Sequence, residues 1–544
     1  MALPPDERPA SESRAGPACW AEKNSRLLLI LILVLAAGLR FWNVTHGLDR
    51  PLAISVDDDA DKKFASARSL ALEGDVHLPA YRRHLLYRQP MFLLRSYAGI
   101  WRTVSVLGFH PSDRTMRIGF NAYLIVMSLV VAVLVFHLGR LVTNRAGPAL
   151  WAAYLFAVAP ANVVGTVYLK EDIPLMLWST AAMLAMVAYV VSRRTALSLA
   201  AALLVGLAIG AKYTGVLLVP MLLVTHFLVA LKSEDSGRLR GLLRWQTLLT
   251  PLLVAAGFLI FNHHALTEWG AFSDGVRYQL SYASVGHHDG TVITGRDHWW
   301  MFFLRHAIAP GITVPVTLLF LCGVVLAFVQ RNRPASLLAI TVVFSYLVLE
   351  SSPAKPFPFP ARYLHFIYPL AVVLAAYALG ELWRRFARGG WHRPAAVCMG
   401  IALGAVPLVT SILVADGARP DTRDQAAAWI EDNLPDGSRI FMGRRRFCPQ
   451  GLDPSRFQVN YFNNIERKTV AALQNHGVDF VVTSSFDHNR YRFSSRSTPL
   501  SREALEAYDR LERGLVLVRR FEPRFPCQSY GQHNPIITIY AVPD

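Results

Sequence analysis

The chain has 544 residues, 53% of them hydrophobic and only 17% charged, against about 25% charged in ordinary soluble proteins. That balance excludes a typical soluble protein. The formal net charge of +17 would suit nucleic acid in a soluble chain, but here the basic residues fall between hydrophobic runs and form no nucleic-acid-binding motif, so nucleic acid is excluded as a partner.

Residues 1–26 read as a polar, cytoplasmic N-terminal tail. The first hydrophobic run, Leu27–Val44, has no small-residue cleavage site after it and reads as an uncleaved helix. A helix needs about 20 apolar residues to cross the hydrocarbon. The further candidates are Ile118–Gly139, Ala149–Val167, Ile173–Val191, Ala196–Gly210, Tyr213–Leu231, Thr247–Phe261, Gly311–Gln330, Ala335–Ser352, Tyr363–Trp383 and Ala395–Val414. The predicted fold is mainly α, a polytopic helical membrane protein of eleven spans over residues 27–415. With the N-terminus cytoplasmic, the inside loops carry Arg140, Arg145, Arg193, Arg194, Lys232, Arg238, Arg331, Arg333 and the Arg384–Arg393 cluster, as the positive-inside rule requires. Residues 196–231 are read as two segments turning at Gly210–Gly215, because a single helix there would put the Arg384–Arg393 cluster outside.

This topology gathers the remaining polar features on the outer face. They are the stretch 55–63, the loop Tyr168–Asp172, the Lys212 turn, the His-rich loop 262–300, the Pro-rich loop 351–362 and everything from Asp416. Their convergence points to an active site at the outer membrane–water boundary, in an integral membrane protein.

The first outer loop, 45–117, opens with Asp57, Asp58, Asp59 and Asp61. Neighbouring carboxylates repel, so one holds its proton more tightly and is suited to general-base work. The plainer reading of the spacing alone is a solvated acidic loop. Phe64–Gly74 has helical character and Gly74 can end it. Arg88, in Tyr87-Arg-Gln-Pro90, is either an interfacial anchor or a cation that holds a lipid phosphate through its planar fork. Met91–Leu107 is amphipathic and predicted to lie along the interface.

These residues resemble the GT-C class of membrane glycosyltransferases, and within it the branch of the protein O-mannosyltransferases and the lipid A aminoarabinose transferase. Asp58-Asp59, Phe64, Ala67-Arg68 and Gly74-Asp75 fit that branch's first outer loop. Tyr87–Pro90 fits its Tyr-x-Lys-Pro-Pro-like segment, with Arg for Lys and Gln for the first Pro. Tyr168-Leu-Lys-Glu-Asp172 fits the second outer loop, and Gly206–Gly215 and Pro360–Pro369 resemble two later segments. The likeness covers residues 25–415. The expected Asp-Glu is Asp-Asp here. Counting back from Ala67 favours Asp59 as the first acid, and composition equally allows Asp58.

The resemblance implies transfer of a sugar from a polyprenyl-phosphate donor to a hydroxyl of a lipid, glycan or protein acceptor on the outer face, with inversion. Asp58 or Asp59 would be the base, and Asp172 would position the acceptor or the base. Arg88, Lys212, Lys355 and Arg362 are candidate donor-phosphate partners. Lys212 reads equally as a snorkelling lysine, and Lys355 as a solvated residue of a Pro-rich loop. The alternative is a transporter or flippase of a lipid-linked sugar, which predicts mid-span charges and an internal repeat; the spans carry few such charges and we find no repeat.

No cofactor is required by this reading. Asp57-x-Asp59-x-Asp61 starts like an EF-hand, but Lys62 and Arg68 stand where Gly and Glu belong. A loosely held divalent cation stays open. His263-His264 and His287-His288 lack the helical spacing of a zinc site, so no metal ligands are assigned. They are read as polar contacts in a loop over the site, with Tyr278, Tyr282, Trp299 and Trp300 adding aromatic faces.

Residues 416–544 read as a soluble α/β domain on the outer face. Strands are predicted at Ser438–Met442, Phe480–Thr483, Gly514–Phe521 and Ile536–Val542, with helices at Arg423–Asn433, Lys468–Asn475 and Arg502–Leu511. In an oxidising compartment Cys448 and Cys527 could pair, and the sequence leaves open whether they do. The domain either selects the acceptor or stabilises the fold.

Overall fold

Long apolar runs fold as helices in lipid because every backbone polar group must be satisfied within the segment. The computed structural model describes residues 17–45, 58–76, 80–230, 245–285, 300–352, 359–386, 393–418, 420–494, 499–526, 530–531 and 533–543, together with Leu48, Leu78 and Lys355. Each of the eleven predicted spans falls on helix. Among the described residues, five helices are long and apolar enough to cross a membrane, or six when one bent pair counts as a span. The five are Asp113–Thr143, Asp172–Ser192, Tyr213–Ala230, Trp245–Asn262 and Arg333–Ser351. The difference from eleven arises mostly where helices are short or broken. Ser25–Phe41 and Thr195–Ala211 have 17 residues each.

Two breaks have clear causes. The predicted span Ala149–Val167 is Ala146–Ala157 followed by Pro160–Gly165; Pro160 lacks an N–H and suits a new first turn. Leu304–Ile312 and Val314–Val329 meet at 105°, with Thr313 between them in the left-handed region at φ 72°. The 31-residue helix Asp113–Thr143 starts on Ser112, whose hydroxyl accepts from the Thr115 amide at 3.2 Å, and ends on left-handed Asn144. It is about 46 Å long at 1.5 Å per residue.

Thr195–Ala211 and Trp245–Asn262 approach at backbone contact. A Cβ at Gly206 would strike the Val254 carbonyl, and one at Gly257 the Leu203 carbonyl. Small residues permit such approach between membrane helices. At Lys212 the backbone is extended and the chain folds back, so that a Cβ at Gly215 would meet the Ala208 and Ile209 backbone at 2.6 Å. The predicted turn at 210–215 is there.

The acidic stretch begins a helix, Asp58–Leu72. Its Phe64, Ala67 and Ala71 are buried in the main core, where Phe64 meets Trp101 and Phe120 at 5.2 and 5.8 Å between ring centres. Trp101 belongs to Phe92–Val106, the amphipathic segment, which buries Phe92, Leu93, Tyr97, Ala98 and Trp101.

The C-terminal region holds a five-stranded sheet in the order β2-β1-β3-β5-β4: β1 Arg439–Met442, β2 Gln458–Tyr461, β3 Phe480–Ser484, β4 Val516–Phe521 and β5 Ile537–Ala541. β1 runs parallel to β2 and β3, and β5 antiparallel to β3 and β4. One face packs Ile440, Met442, Val482, Ile537 and Ile539 against Ala426 and Ile430 of the helix Thr422–Asn433. The other packs Phe441 and Val481 against Leu473, Tyr508 and Leu511. Four strands stand where predicted. β2 was not expected, being a four-residue edge strand with only half-buried alternate residues. Helix Ser485–Ser494 was likewise not expected. Cys448 is a free buried thiol whose Sγ lies 3.9 Å from the Val482 carbonyl; Cys527, its candidate partner, lies outside the described residues.

Candidate functional site

Arg88 ends the 3-10 helix Ala80–Arg88, and its segment is held on several sides. The Tyr213 hydroxyl donates to the Tyr87 carbonyl at 2.8 Å, and the Met91 amide donates to Asn262 Oδ1 at 2.8 Å. Gly275, on the helix Trp269–Val285, lies so close that a Cβ there would be 2.6 Å from the Tyr87 carbonyl carbon. One turn further on, Tyr278 places its ring 3.5 Å under the Arg88 guanidinium. Arg88 Nε is buried without a hydrogen-bond partner among the described residues.

Arg88 faces a cavity of about 480 Å³. Its other charged walls are Lys62, Lys63, Lys170, Glu171 and Arg362, and its aromatic walls are Tyr278, Tyr282 and Tyr363. Lys63 joins Glu171 at 2.5 Å, tying the acidic helix to the loop before Asp172. Arg362 sits on the 3-10 helix Pro360–Leu364 and donates to the Tyr363 hydroxyl at 3.2 Å. Five cations against one described carboxylate make the cavity strongly attractive to an anion such as a phosphate.

Asp172 opens the helix Asp172–Ser192, where backbone N–H groups favour a negative charge. It is buried, and Lys212 Nζ lies 2.5 Å from its Oδ1. Arg362 and His365 are close enough to act on its charge. Lys212 also stands 4.8 Å from the Tyr363 ring centre, so the pair backs onto the cavity wall. His365 fills the space left by Gly165, where a Cβ would be 2.5 Å from its ring.

Of the predicted site residues, Arg88 and Arg362 line the cavity together. Asp172 and Lys212 pair behind Tyr363. Lys355 is elsewhere: its ammonium is buried against Glu350, 3.6 Å from the carboxylate and donating to the Glu350 carbonyl. Glu350 in turn accepts from the Phe302 and Phe303 amides at 2.9 and 3.0 Å. Burial pushes the Lys355 pKa down to about 8 against the pull of Glu350. Asp58 and Asp59 lie in the first turn of the acidic helix, and their side chains are outside the described residues. So are Trp299 and His287-His288, whereas Tyr278 and Tyr282 stand on the cavity. His263 and His264 both meet Arg95, at 2.9 and 2.5 Å. Among the described residues no three His, Cys, Asp or Glu side chains are grouped to hold a metal.

The reading of the sequence passed over Lys62, Lys63, Lys170 and Glu171. Their signal was position: the first two close the acidic stretch directly after Asp61, and the last two immediately precede Asp172.

Residues 112–261 match the family described as "Dolichyl-phosphate-mannose-protein mannosyltransferase". No curated protein matches the chain in sequence. Among solved structures, the archaeal oligosaccharyltransferase AglB from Archaeoglobus fulgidus, in complex with an inhibitory peptide and a dolichol-phosphate, is similar with a TM-score of 0.52 at 12% identity, over 96% of this chain and 75% of that one. ArnT from Cupriavidus metallidurans bound to undecaprenyl phosphate aligns with a TM-score of 0.47 at 15% identity, over 97% and 99% of the two chains. The chain is an integral membrane protein built on the GT-C glycosyltransferase fold.

Proposed function

We propose that the protein transfers a sugar from a polyprenyl-phosphate donor to an acceptor hydroxyl on the outer face of the membrane, with an aspartate of the acidic helix as general base. The observation that carries this reading is the cavity, where Arg88, Arg362, Lys62 and Lys170 surround a space large enough for a phosphosugar, beside the helix start that bears Asp58 and Asp59. The dolichol-phosphate in the AglB structure and the mannosyltransferase family match support a lipid-phosphate donor. The basic inside loops support the outer face.

In this mechanism the acceptor oxygen attacks the anomeric carbon while its proton passes to the base. The bond from that carbon to the phosphate oxygen breaks, and the electron pair leaves with the lipid phosphate. Such a leaving group needs fixed cations more than a general acid, and Arg88 and Arg362 are placed to supply them. Position 59 stands three, four and seven residues before Lys62, Lys63 and Ser66, all on the cavity wall, so it shares their helix face. Position 58 shares that stripe only through Lys62. Asp59 is therefore the base we favour. Tyr278, Tyr282 and Tyr363 offer faces and hydroxyls to a sugar ring, and Asp172, held by Lys212, orders the wall behind them.

The test is transfer from a panel of radiolabelled polyprenyl-phosphate sugars by membranes containing wild type, Asp58→Asn or Asp59→Asn. Loss of transfer in Asp59→Asn at unchanged protein level is the expected result. Wild-type rates in both variants would remove the base from the acidic helix.

A further inference from the structure

The loop between Gly165 and Asp172 carries Lys170 and Glu171 to the cavity and Asp172 to its back wall, yet a group from the far end of the chain holds it. Tyr168 is buried, and its hydroxyl lies 2.5 Å from His533 Nδ1. The two rings are stacked at 21°. Tyr168 also meets Phe359, at 5.1 Å between ring centres, immediately before the turn that carries Arg362. Gly531 leaves room for this contact, since a Cβ there would collide with both the Tyr168 hydroxyl and the His533 ring.

The segment around His533 is itself fixed. The Tyr530 hydroxyl donates to the Pro310 carbonyl at 3.0 Å, beside the sharp helix bend. The Asn534 amide donates to Asp421 Oδ2 at 3.1 Å, and its side chain donates to the Gly417 carbonyl at 2.5 Å. Asp421 is held by the buried Arg423 guanidinium at 2.8 Å. Burial pushes the His533 pKa down to about 4, so the ring is neutral near pH 7. A neutral imidazole keeps one acceptor nitrogen, to which the Tyr168 hydroxyl donates when Nε2 carries the proton.

Motion at Tyr168 has a short path to the cavity. The Lys170 amide donates to the Tyr168 carbonyl at 2.7 Å, and Glu171 is bridged to Lys63 of the acidic helix. We propose that Tyr168 and His533 form a clamp through which the C-terminal region sets the position of Lys170, Glu171 and Asp172, making both of them positioning residues. The clamp stands on geometry alone; its link to catalysis rests on the transferase reading above.

The experiment uses the full chain in nanodiscs, with Tyr168→Phe, His533→Leu, their double variant, His533→Asn, which keeps an acceptor near the Nδ1 position, and Tyr461→Phe, which removes a C-terminal hydroxyl bonded to the Pro449 carbonyl away from the clamp, as a control. Hydrogen exchange over residues 166–172 reads the clamp independently of activity. Loss of one buried hydrogen bond is expected to speed that exchange about tenfold in either single variant. The double variant should be no faster than either single, because the two groups act as one pair. In parallel, kcat/KM for lipid-linked sugar transfer should fall about tenfold in both singles, recover largely in His533→Asn and stay at the wild-type value in Tyr461→Phe. Unchanged exchange in both singles, or additive effects in the double, would overturn the clamp. Faster exchange with wild-type kcat/KM would overturn the positioning role. Faster exchange in a protein whose wild type transfers no sugar would support the clamp and defeat the transferase reading instead.

Discussion

Arg88 and Arg362 stand on the wall of an open cavity, whereas Lys212 and Lys355 are each buried beside a carboxylate. All four are cations near the ends of apolar segments, and the sequence makes all four candidate donor-phosphate partners, with a snorkelling reading for Lys212 and a solvated one for Lys355 beside it. The structure separates them by what neutralises their charge. A buried cation needs a partner because desolvation costs several kcal/mol per ion. Asp172 and Glu350 meet that need from within the protein. The cavity cations outnumber the described carboxylates around them, so an anion from outside is their natural complement. The two lysines hold helices and loops in place, whereas Arg88 and Arg362 stand on the cavity wall.

The sharpest way to break this comparison is Asp172→Asn. It leaves the Lys212 ammonium buried without its carboxylate, and removing one partner of a buried pair costs about 3–5 kcal/mol. The purified variant should melt far below wild type, and adding Lys212→Met should restore much of the loss. An Asp172→Asn protein that melts with wild type would mean that Lys212 is not balanced from within. Lys355→Met comes next. Glu350 keeps its two backbone donors, so the loss should be smaller, roughly 2 kcal/mol, with the donor KM within about twofold of wild type. A tenfold rise in KM at unchanged melting would move Lys355 into the class of Arg88.

Arg88→Gln tests the other side. Only the cavity charge is removed, and the expected effect is a rise of about tenfold in donor KM, roughly 1.4 kcal/mol, with the melting temperature unchanged. Arg88→Lys should fall between, since the charge remains but the planar fork is lost. Destabilisation in place of weakened donor use would show Arg88 to be a packing residue stacked on Tyr278.

Much of the fold was legible because membrane helices announce themselves by apolar runs. The breaks were not: Pro160 sits in a run as apolar as its neighbours, and whether a helix continues past proline in lipid depends on what the neighbouring helices supply. Arg88 and Arg362 were singled out from the order of the motifs, and both line one cavity with Tyr278 and Tyr282. The pairings were not legible. Asp172 and Lys212 are 40 residues apart and Tyr168 and His533 are 365 apart. Both depend on how helices cross and where the C-terminal sheet docks, and no local pattern encodes that. Lys355 looked solvated in its proline-rich loop because nothing local says that Glu350 turns back to cover it.

The smallest expected effect concerns the buried histidine of the C-terminal region, which sharpens the same comparison because His533 avoids the need for a partner charge by staying neutral. Burial lowers its pKa from 6.5 to about 4, with Arg423 adding to the shift and Asp421 opposing it. Between these values the unfolded chain binds more protons than the folded one, so stability rises with pH across this window and is lost as pH falls through it. The contribution is nearly complete above pH 7. Lowering the pH from 7 to 6 should remove about 0.7 kcal/mol by linkage, a shift of a few degrees in melting followed on the C-terminal sheet. His533→Asn, which cannot titrate, should flatten that part of the profile while its midpoint at pH 7 moves little. A profile with the same slope in wild type and His533→Asn would mean that the imidazole titrates in the folded protein as it does in the unfolded chain, and the contrast between paired cations and neutral buried groups would not extend to this region.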